Sequence, residues 1–390
     1  MSENEESKEN QERQFDEEQY QMLLRCSEKK DLTEWNEWRS KNPFIDIKLA
    51  NVNLRKAYLK GGNLTEANLN GAMLNAADLS EAKMNDAKLD GAKLFNTNFT
   101  KAEMFNVTFN KATLHSSIFN GAHIEESSFE NSNFLSSKLI GSRLIECNLK
   151  GANFIRADLS NSYFAECDIE NSKLGRANLN GTEFYKLNIK GADFEGASVN
   201  GQTLIWNCKF DSNTNFTGVG LDSARIEPRI KTSLQGNIRR KQWEKWYEEG
   251  PKWQRFLINP FVKLFWLASD YGRSTGRIIG CFFGLSVIFA LLYYICGPID
   301  GQGIVANLFV DYNAQTGNPI SINPKIVPIR AIYFSIVTMT TLGFGDMYAQ
   351  PGSYLGHILL MIQVLLGYVL LGALVTRFAI LFTSSGPEKG

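Results

Sequence analysis

From Leu49 to Leu204 every fifth residue is apolar, 32 positions in succession without a break. All are Leu, Phe, Met, Ile or Val, and the series includes Leu54, Leu59, Leu64, Met84, Phe99, Met104, Ile124, Ile169 and Val199. Two residues before each stands a mostly small side chain, as at Ala57, Ala67, Ala72, Ser117, Ser142, Ala152, Ser172 and Ala192. A helix repeats its buried face every 3.6 residues and a strand every 2, so neither generates a period of five. A strict internal period instead requires stacked units, each burying its apolar face on its neighbours.

These units, such as Ala67-Asn68-Leu69-Asn70-Gly71 and Ala157-Asp158-Leu159-Ser160-Asn161, resemble the pentapeptide-repeat family over about 40% of the chain. The resemblance implies a right-handed quadrilateral β-helix, four repeats to a coil, with the large and small residues both pointing inward. Eight coils at the usual inter-strand spacing of about 4.8 Å would stack to roughly 38 Å. Cys147 and Cys167 would stand one coil apart on one inward column, as reduced small fillers or as a disulfide. Some members of this family mimic DNA and protect DNA gyrase, which needs an acidic exterior. Between Lys48 and Glu195 there are 17 basic and 17 acidic residues, so this solenoid is neutral and a DNA mimic is not expected. The chain as a whole has zero net charge, and no nucleic-acid partner is expected either.

Five regions follow from the composition along the chain. Residues 1–14 are polar and acidic with no apolar stretch, so they read as a disordered tail and not as a secretory signal. Residues 15–43 hold two short helical patterns, Glu17–Cys26 and Thr33–Ser40; Trp35 and Trp38 share a face of the second and are expected to plug the end of the solenoid. The β-helix is expected over 44–216, its repeats fading after Leu204 through Phe210 and Phe216. A basic, aromatic connector fills 217–276, with 12 basic and 5 acidic residues from Arg225 to Arg277, a net +7. A helix is expected over about Ile230–Glu249, ended by Pro251. The Trp253–Ala268 segment mixes aromatics with cations just before an apolar span. It reads as an amphipathic helix in the membrane interface rather than a solvated linker.

The last region, 277–384, is expected to enter the membrane. Ile278–Ile299 is 22 residues without a charge, enough at 1.5 Å each to cross an apolar core of about 30 Å. A second charge-free stretch, Met347–Thr376, is closed by Arg377, and a span is placed over 353–382. Cations concentrate before the first span (Lys263, Arg273, Arg277), whereas Asp300 and Asp311 follow it. The positive-inside rule then puts both termini, and the solenoid, in the cytosol of a two-span cell-membrane protein.

Between the spans, residues 328–339 form a helical pattern too short to cross, with Pro328 at its start. It runs into Thr340-Thr341-Leu342-Gly343-Phe344-Gly345-Asp346. A short helix and a glycine-punctuated loop between two spans make a re-entrant hairpin, whose irregular backbone must be buried or line water. Gly343 and Gly345 allow successive carbonyls to face one axis and replace an ion's hydration shell. One loop cannot surround an ion, so four chains must converge.

Thr338-Met339-Thr340-Thr341-Leu342-Gly343-Phe344-Gly345-Asp346 resembles the potassium-channel filter, T-x-T-T-V-G-Y-G-D. The layout, over roughly Gly276 to Phe382, resembles bacterial two-transmembrane potassium channels, and the filter wording that of the second pore loop of two-pore-domain channels. The resemblance implies potassium ions held by Thr341, Leu342, Gly343, Phe344 and Gly345, with Thr338, Thr340, Asp346, Tyr333 and Phe334 in support. Gly356, Gly367 and Gly372 keep the family's spacing, and Gly367 matches its inner-helix hinge, with Gly372 beside it. Small residues for tight helix packing are the competing reading of Gly367. Leu371, Val375 and Ala379 would face the conduction path, their apolar character suiting a gate that closes by dewetting. Three departures stand out. Phe344 replaces tyrosine and loses a hydroxyl bond, and Leu342 replaces valine or isoleucine. Val337 takes a place where some bacterial channels put an acid, so support there is expected from packing.

The sequence therefore predicts a subunit of a homotetrameric, potassium-selective or potassium-preferring channel embedded in a lipid bilayer. Its solenoid is the expected surface for an unknown cytosolic ligand or protein that modulates gating. The rival is a membrane-anchored repeat scaffold with a vestigial or non-selective cation pore. No cofactor is expected. No nucleotide loop, catalytic serine elbow or metal-ligand cluster supports an enzyme, and the histidines (His115, His123, His357) and six cysteines are scattered.

Overall fold

In the computed structural model the described residues are 15–249, 251, 275–296, 304–312, 316, 318–343, 345 and 347–383. The chain divides into two compact units, Met1–Lys245 and Trp246–Gly390.

The first unit is a β-solenoid. One ladder of bridges climbs through Lys48, Asn68, Lys88, Thr108, Ser128, Asn148, Asp168, Asn188 and Lys209, each paired in parallel with the next. On another face the pairing lengthens into strands β1 (Glu103–Phe105), β2 (His123–Glu125), β3 (Arg143–Ile145), β4 (Tyr163–Ala165), β5 (Glu183–Tyr185), β6 (Leu204–Trp206) and β7 (Arg225–Ile226), in that order. Corners such as Leu54–Ala57 are turns closed by a hydrogen bond three residues back, Ala57 N–H to Leu54 C=O at 3.2 Å, with a left-handed residue at the third position (Lys56, φ 58°), while on the strand face Val107 N–H donates instead to Ser127 Oγ at 3.0 Å. Both predicted columns point inward, Leu59, Leu69, Phe119 and Phe154 with Ala57, Ala67, Ser117 and Ala152. Rings on successive coils stack at the coil spacing: Phe109 on Phe129 at 4.8 Å, Phe134 on Phe154 at 4.6 Å. Buried serines donate to the turn carbonyl three residues earlier, as Ser132 Oγ does to Phe129 O at 2.7 Å. Outward Asn and Asp form their own ladder, for example Asn178 Nδ2 to Asp158 Oδ1 at 2.9 Å. Cys147 and Cys167 are buried and unbridged.

The sequence series fails at its last member. Leu204 is only half-buried and pairs with Glu183, while Ile205, 1% exposed, takes the inward place opposite Phe184. An extra residue sits in the loop before it, where Asn200 Oδ1 accepts from the N–H groups of Gly181, Gln202 and Thr203. A second extension is built the same way on Asp211, which accepts from Gly191, Asn213 and Thr214. Side-chain-to-backbone turns of this type absorb extra residues without interrupting the stack.

Both ends of the stack are covered. Helices α1 (Glu17–Lys29) and α2 (Thr33–Lys41) lie over the first coil, three residues and one residue longer than predicted. Trp35 is fully buried and donates Nε1–H to Asn63 O at 2.9 Å; Trp38 packs beside it at 5.3 Å. Gln19, Ser27 and Asn36 satisfy the edge N–H groups of Lys48, Tyr58 and Asn63, which removes an open sheet edge. At the far end helix α3 (Pro228–Glu249) buries Ile230 and Leu234, and Asn237 Nδ2 donates to the carbonyls of Asp211 and Thr214. The interfacial helix expected over Trp253–Ala268 lies outside the described residues.

In the second unit, α4 (Thr275–Ile295) and α6 (Tyr354–Thr383) are, among the described residues, the two helices long and apolar enough to span a membrane. The first was predicted to reach Ile299, but its helix is described only to Ile295. Between the spans come β8 (Val305–Ala306), β9 (Val310–Tyr312), β10 (Pro319–Ser321), helix α5 (Val327–Met339) and β11 (Tyr348–Ala349). Helix α5 packs on α4 and α6 through Ala331, Phe334 and Met339.

Candidate ion pathway

Helix α5 has 13 residues and, at 1.5 Å each, a length of about 20 Å, which takes it only part of the way through a bilayer. Pro328 opens it, and Arg330 Nη2 holds its first turn to Asn307 O at 2.6 Å. At its other end Thr340 Oγ1 donates back to the carbonyls of Ile336 and Val337, and Thr341 N–H to Thr338 O at 3.1 Å. The chain then changes hand. Thr341 (φ 61°), Gly343 (φ 41°) and Gly345 (φ 77°) are left-handed, and Leu342 between the first two is not. Alternating hand turns successive carbonyls toward one side of the backbone instead of alternate sides. A β-branched residue at positive φ is strained, and Thr341 is held there by the closure of the helix end, in which Leu342 N–H also donates to Val337 O at 3.2 Å.

Beyond the loop, Met347 is buried and β11 pairs with β8, while Gln350 N–H donates to Ile304 O at 3.1 Å. The segment leaving the loop is thereby pinned to the chain that leaves the first span. Gly356, near the start of α6, meets the same Ile304 carbonyl with no space for a Cβ. One helical turn after Gln363, Gly367 meets the backbone of Met339 in the same way.

Of the residues singled out in the sequence, Thr338 and Phe334 are buried behind the loop, and Tyr333 is 40% exposed. Thr341, Leu342, Gly343 and Gly345 are exposed, Leu342 to 65%. Leu371 is half-buried, Val375 and Ala379 are exposed. Phe344 and Asp346 lie outside the described residues.

Support near Val337 does not come from packing alone. Tyr293 Oη donates to Gln363 Oε1 at 2.6 Å; Gln363 Nε2 donates to Ser335 O at 3.0 Å and Oγ at 2.6 Å; Ser335 Oγ donates to Ser286 O at 2.6 Å. Tyr293, Ser335 and Gln363 are fully buried and Ser286 nearly so. This network joins α4, α5 and α6, and the sequence reading missed it. The available signal was Gln363, an amide inside an apolar span, where polar side chains are costly without partners.

Residues 308–384 match the family model described as an ion channel. Residues 47–86, 74–110 and 82–121 match pentapeptide repeats, and 113–194 a pentapeptide repeat region. The chain joins pentapeptide repeats to an ion-channel domain. The ion-channel match takes in α5, the loop and α6, and begins after α4. Among solved structures, a trypsin-treated form of QnrB1, a plasmid-mediated fluoroquinolone resistance protein, is 14% identical over 50% of this chain and 96% of its own, at a TM-score of 0.34. HetL, a pentapeptide repeat protein involved in heterocyst differentiation regulation in the cyanobacterium Nostoc, is 17% identical over 48% of this chain and 94% of its own, at 0.23. Scores of this size carry no argument, and the solenoid rests on its ladders and the repeat match. No curated protein matches the chain.

Proposed function

We propose that four copies of this ion-channel chain form a potassium-selective pore whose filter is Thr341–Gly345. The observation that carries the reading is the left-handed backbone at Thr341, Gly343 and Gly345, in an exposed loop at the end of a short helix between two spans. Carbonyls turned to one side serve an ion only when other copies close the ring, and the exposure of Thr341, Leu342, Gly343 and Gly345 in one subunit leaves the loop open to them. Phe344 completes the filter through its backbone carbonyl, and Asp346 supports it. Leu371, Val375 and Ala379 line the inner pore.

A cytosolic solenoid and cytosolic termini are supported by the cation-rich segment ahead of α4. There the solenoid modulates opening in response to a ligand or partner. Rubidium uptake into proteoliposomes containing the purified full-length chain tests the channel reading. Uptake blocked by barium supports it, and intact tetramers in sealed vesicles without uptake contradict it in favour of a scaffold.

A further inference from the structure

Resting on that channel reading, we propose that Gln363 is a positioning residue of the ion pathway, fixing the filter-bearing helix α5 against the inner helix α6 through Ser335. Two observations meet here. The first is the completeness of the network. Gln363 uses both amide hydrogens on Ser335 and its oxygen on Tyr293, and Ser286 Oγ is occupied by Phe282 O at 2.9 Å. The bond to the Ser335 main-chain carbonyl requires a donor, which sets the orientation of the amide. Every polar hydrogen of the four side chains has an acceptor, at a depth where water cannot substitute.

The second observation is register. Ser335 and Met339 are one turn apart on α5, and Gln363 and Gly367 one turn apart on α6. The first pair of contacts is polar, through Gln363, and the second steric, through Gly367 against the Met339 backbone. Met339 is followed directly by Thr340 and Thr341, where the chain changes hand. Apolar packing alone tolerates sliding and rotation of one helix on another, whereas a satisfied hydrogen-bond network admits one depth and one rotation. Selectivity depends on carbonyl positions, so loss of the network is read first in permeability. Tyr293 and Ser286 hold the same unit to α4, and Tyr293 also stacks edge-on to Phe334 at 5.2 Å.

The test compares full-length chains in planar bilayers by their K⁺ and Na⁺ reversal potentials, with thermal dissociation of the tetramer measured alongside. Gln363→Leu is expected to lower the potassium-to-sodium permeability ratio about tenfold, the effect of losing one or two buried bonds. The triple change Tyr293→Phe, Ser335→Ala and Gln363→Leu removes the three side chains that bond to one another and leaves the Ser286 hydroxyl on Phe282 O, so it is expected to restore most thermal stability. Its permeability ratio is expected to stay low, which a merely structural role would not produce. Tyr293→Phe, which deletes one hydroxyl, is expected to fall between and serves if the larger changes do not assemble. Any of these variants conducting with the unmutated ratio overturns the inference. An unmutated chain that does not conduct overturns the channel reading instead, so the two failures are distinguishable.

Discussion

Gly367 and the backbone of Met339 are packed so closely that a Cβ on Gly367 would collide with the Met339 carbonyl oxygen. A hinge needs freedom, and this glycine has spent its space on a helix contact. Five residues on, Gly372 has nothing within 4 Å of its Cβ position in the subunit, and its carbonyl accepts from Thr376 Oγ1 at 2.8 Å. Threonine back-bonding of this kind bends helices. Gly367→Ala is therefore expected to destabilise the tetramer by overpacking, about 1–3 kcal/mol per subunit, read as earlier thermal dissociation. Gly372→Ala should leave assembly unchanged and shift open probability in single-channel records, since it stiffens the helix by about 1 kcal/mol. The opposite assignment of the two phenotypes would restore the hinge to Gly367.

The solenoid carries an acid-sensitive joint at Asp211. Burial works against its charge, but the N–H groups of Gly191, Asn213 and Thr214 and the Thr214 hydroxyl hold its carboxyl below the usual carboxylate range. A depressed folded pKa gives stability that is present above the unfolded value of about 3.9 and lost as pH falls through the folded one. Asp211→Asn keeps an acceptor and removes the titration. Thermal unfolding of the first unit's transition should therefore drop less between pH 6 and pH 3 in the variant. An identical drop would mean that other carboxylates govern acid unfolding.

The period of five made the solenoid legible because each of its units meets the same environment, one coil above and one below. The exception shows the limit. Leu204 and Ile205 are adjacent and both apolar, so nothing in the pattern tells which one faces inward; the loop built on Asn200 decides it. The spans and the helix α5 were legible from length and charge. Their polar tie was not: Ser286, Tyr293, Ser335 and Gln363 come from three helices, joined by bonds that span up to 70 residues, and become a unit only when those helices pack. The pairing of β8 with β11 escaped notice because two-residue strands carry no period.

Removing the solenoid tests its part in gating, and the structure moves the cut. A deletion ending at Leu204 would strip Ile205 of Phe184 and Asn215 of Asp193, and leave an open edge where the preceding coil stood. Deleting Met1–Lys245, the whole first unit, avoids that edge. The shortened channel is expected to conduct with unchanged ion preference and altered open probability. Gating indistinguishable from the full chain under every effective stimulus would make the solenoid a targeting or assembly module.

A filter made of Thr341, Leu342, Gly343, Phe344 and Gly345 is read most plainly from ion preference. The most direct measurement is the reversal potential of the full-length chain in a planar bilayer with K⁺ on one side and Na⁺ on the other. A potential near the potassium limit is predicted for the unmutated chain. Collapse toward zero is predicted for Gly343→Ala, because alanine is strained at the positive φ this position holds. A reversal potential at zero in the unmutated protein, with current flowing, would contradict the account.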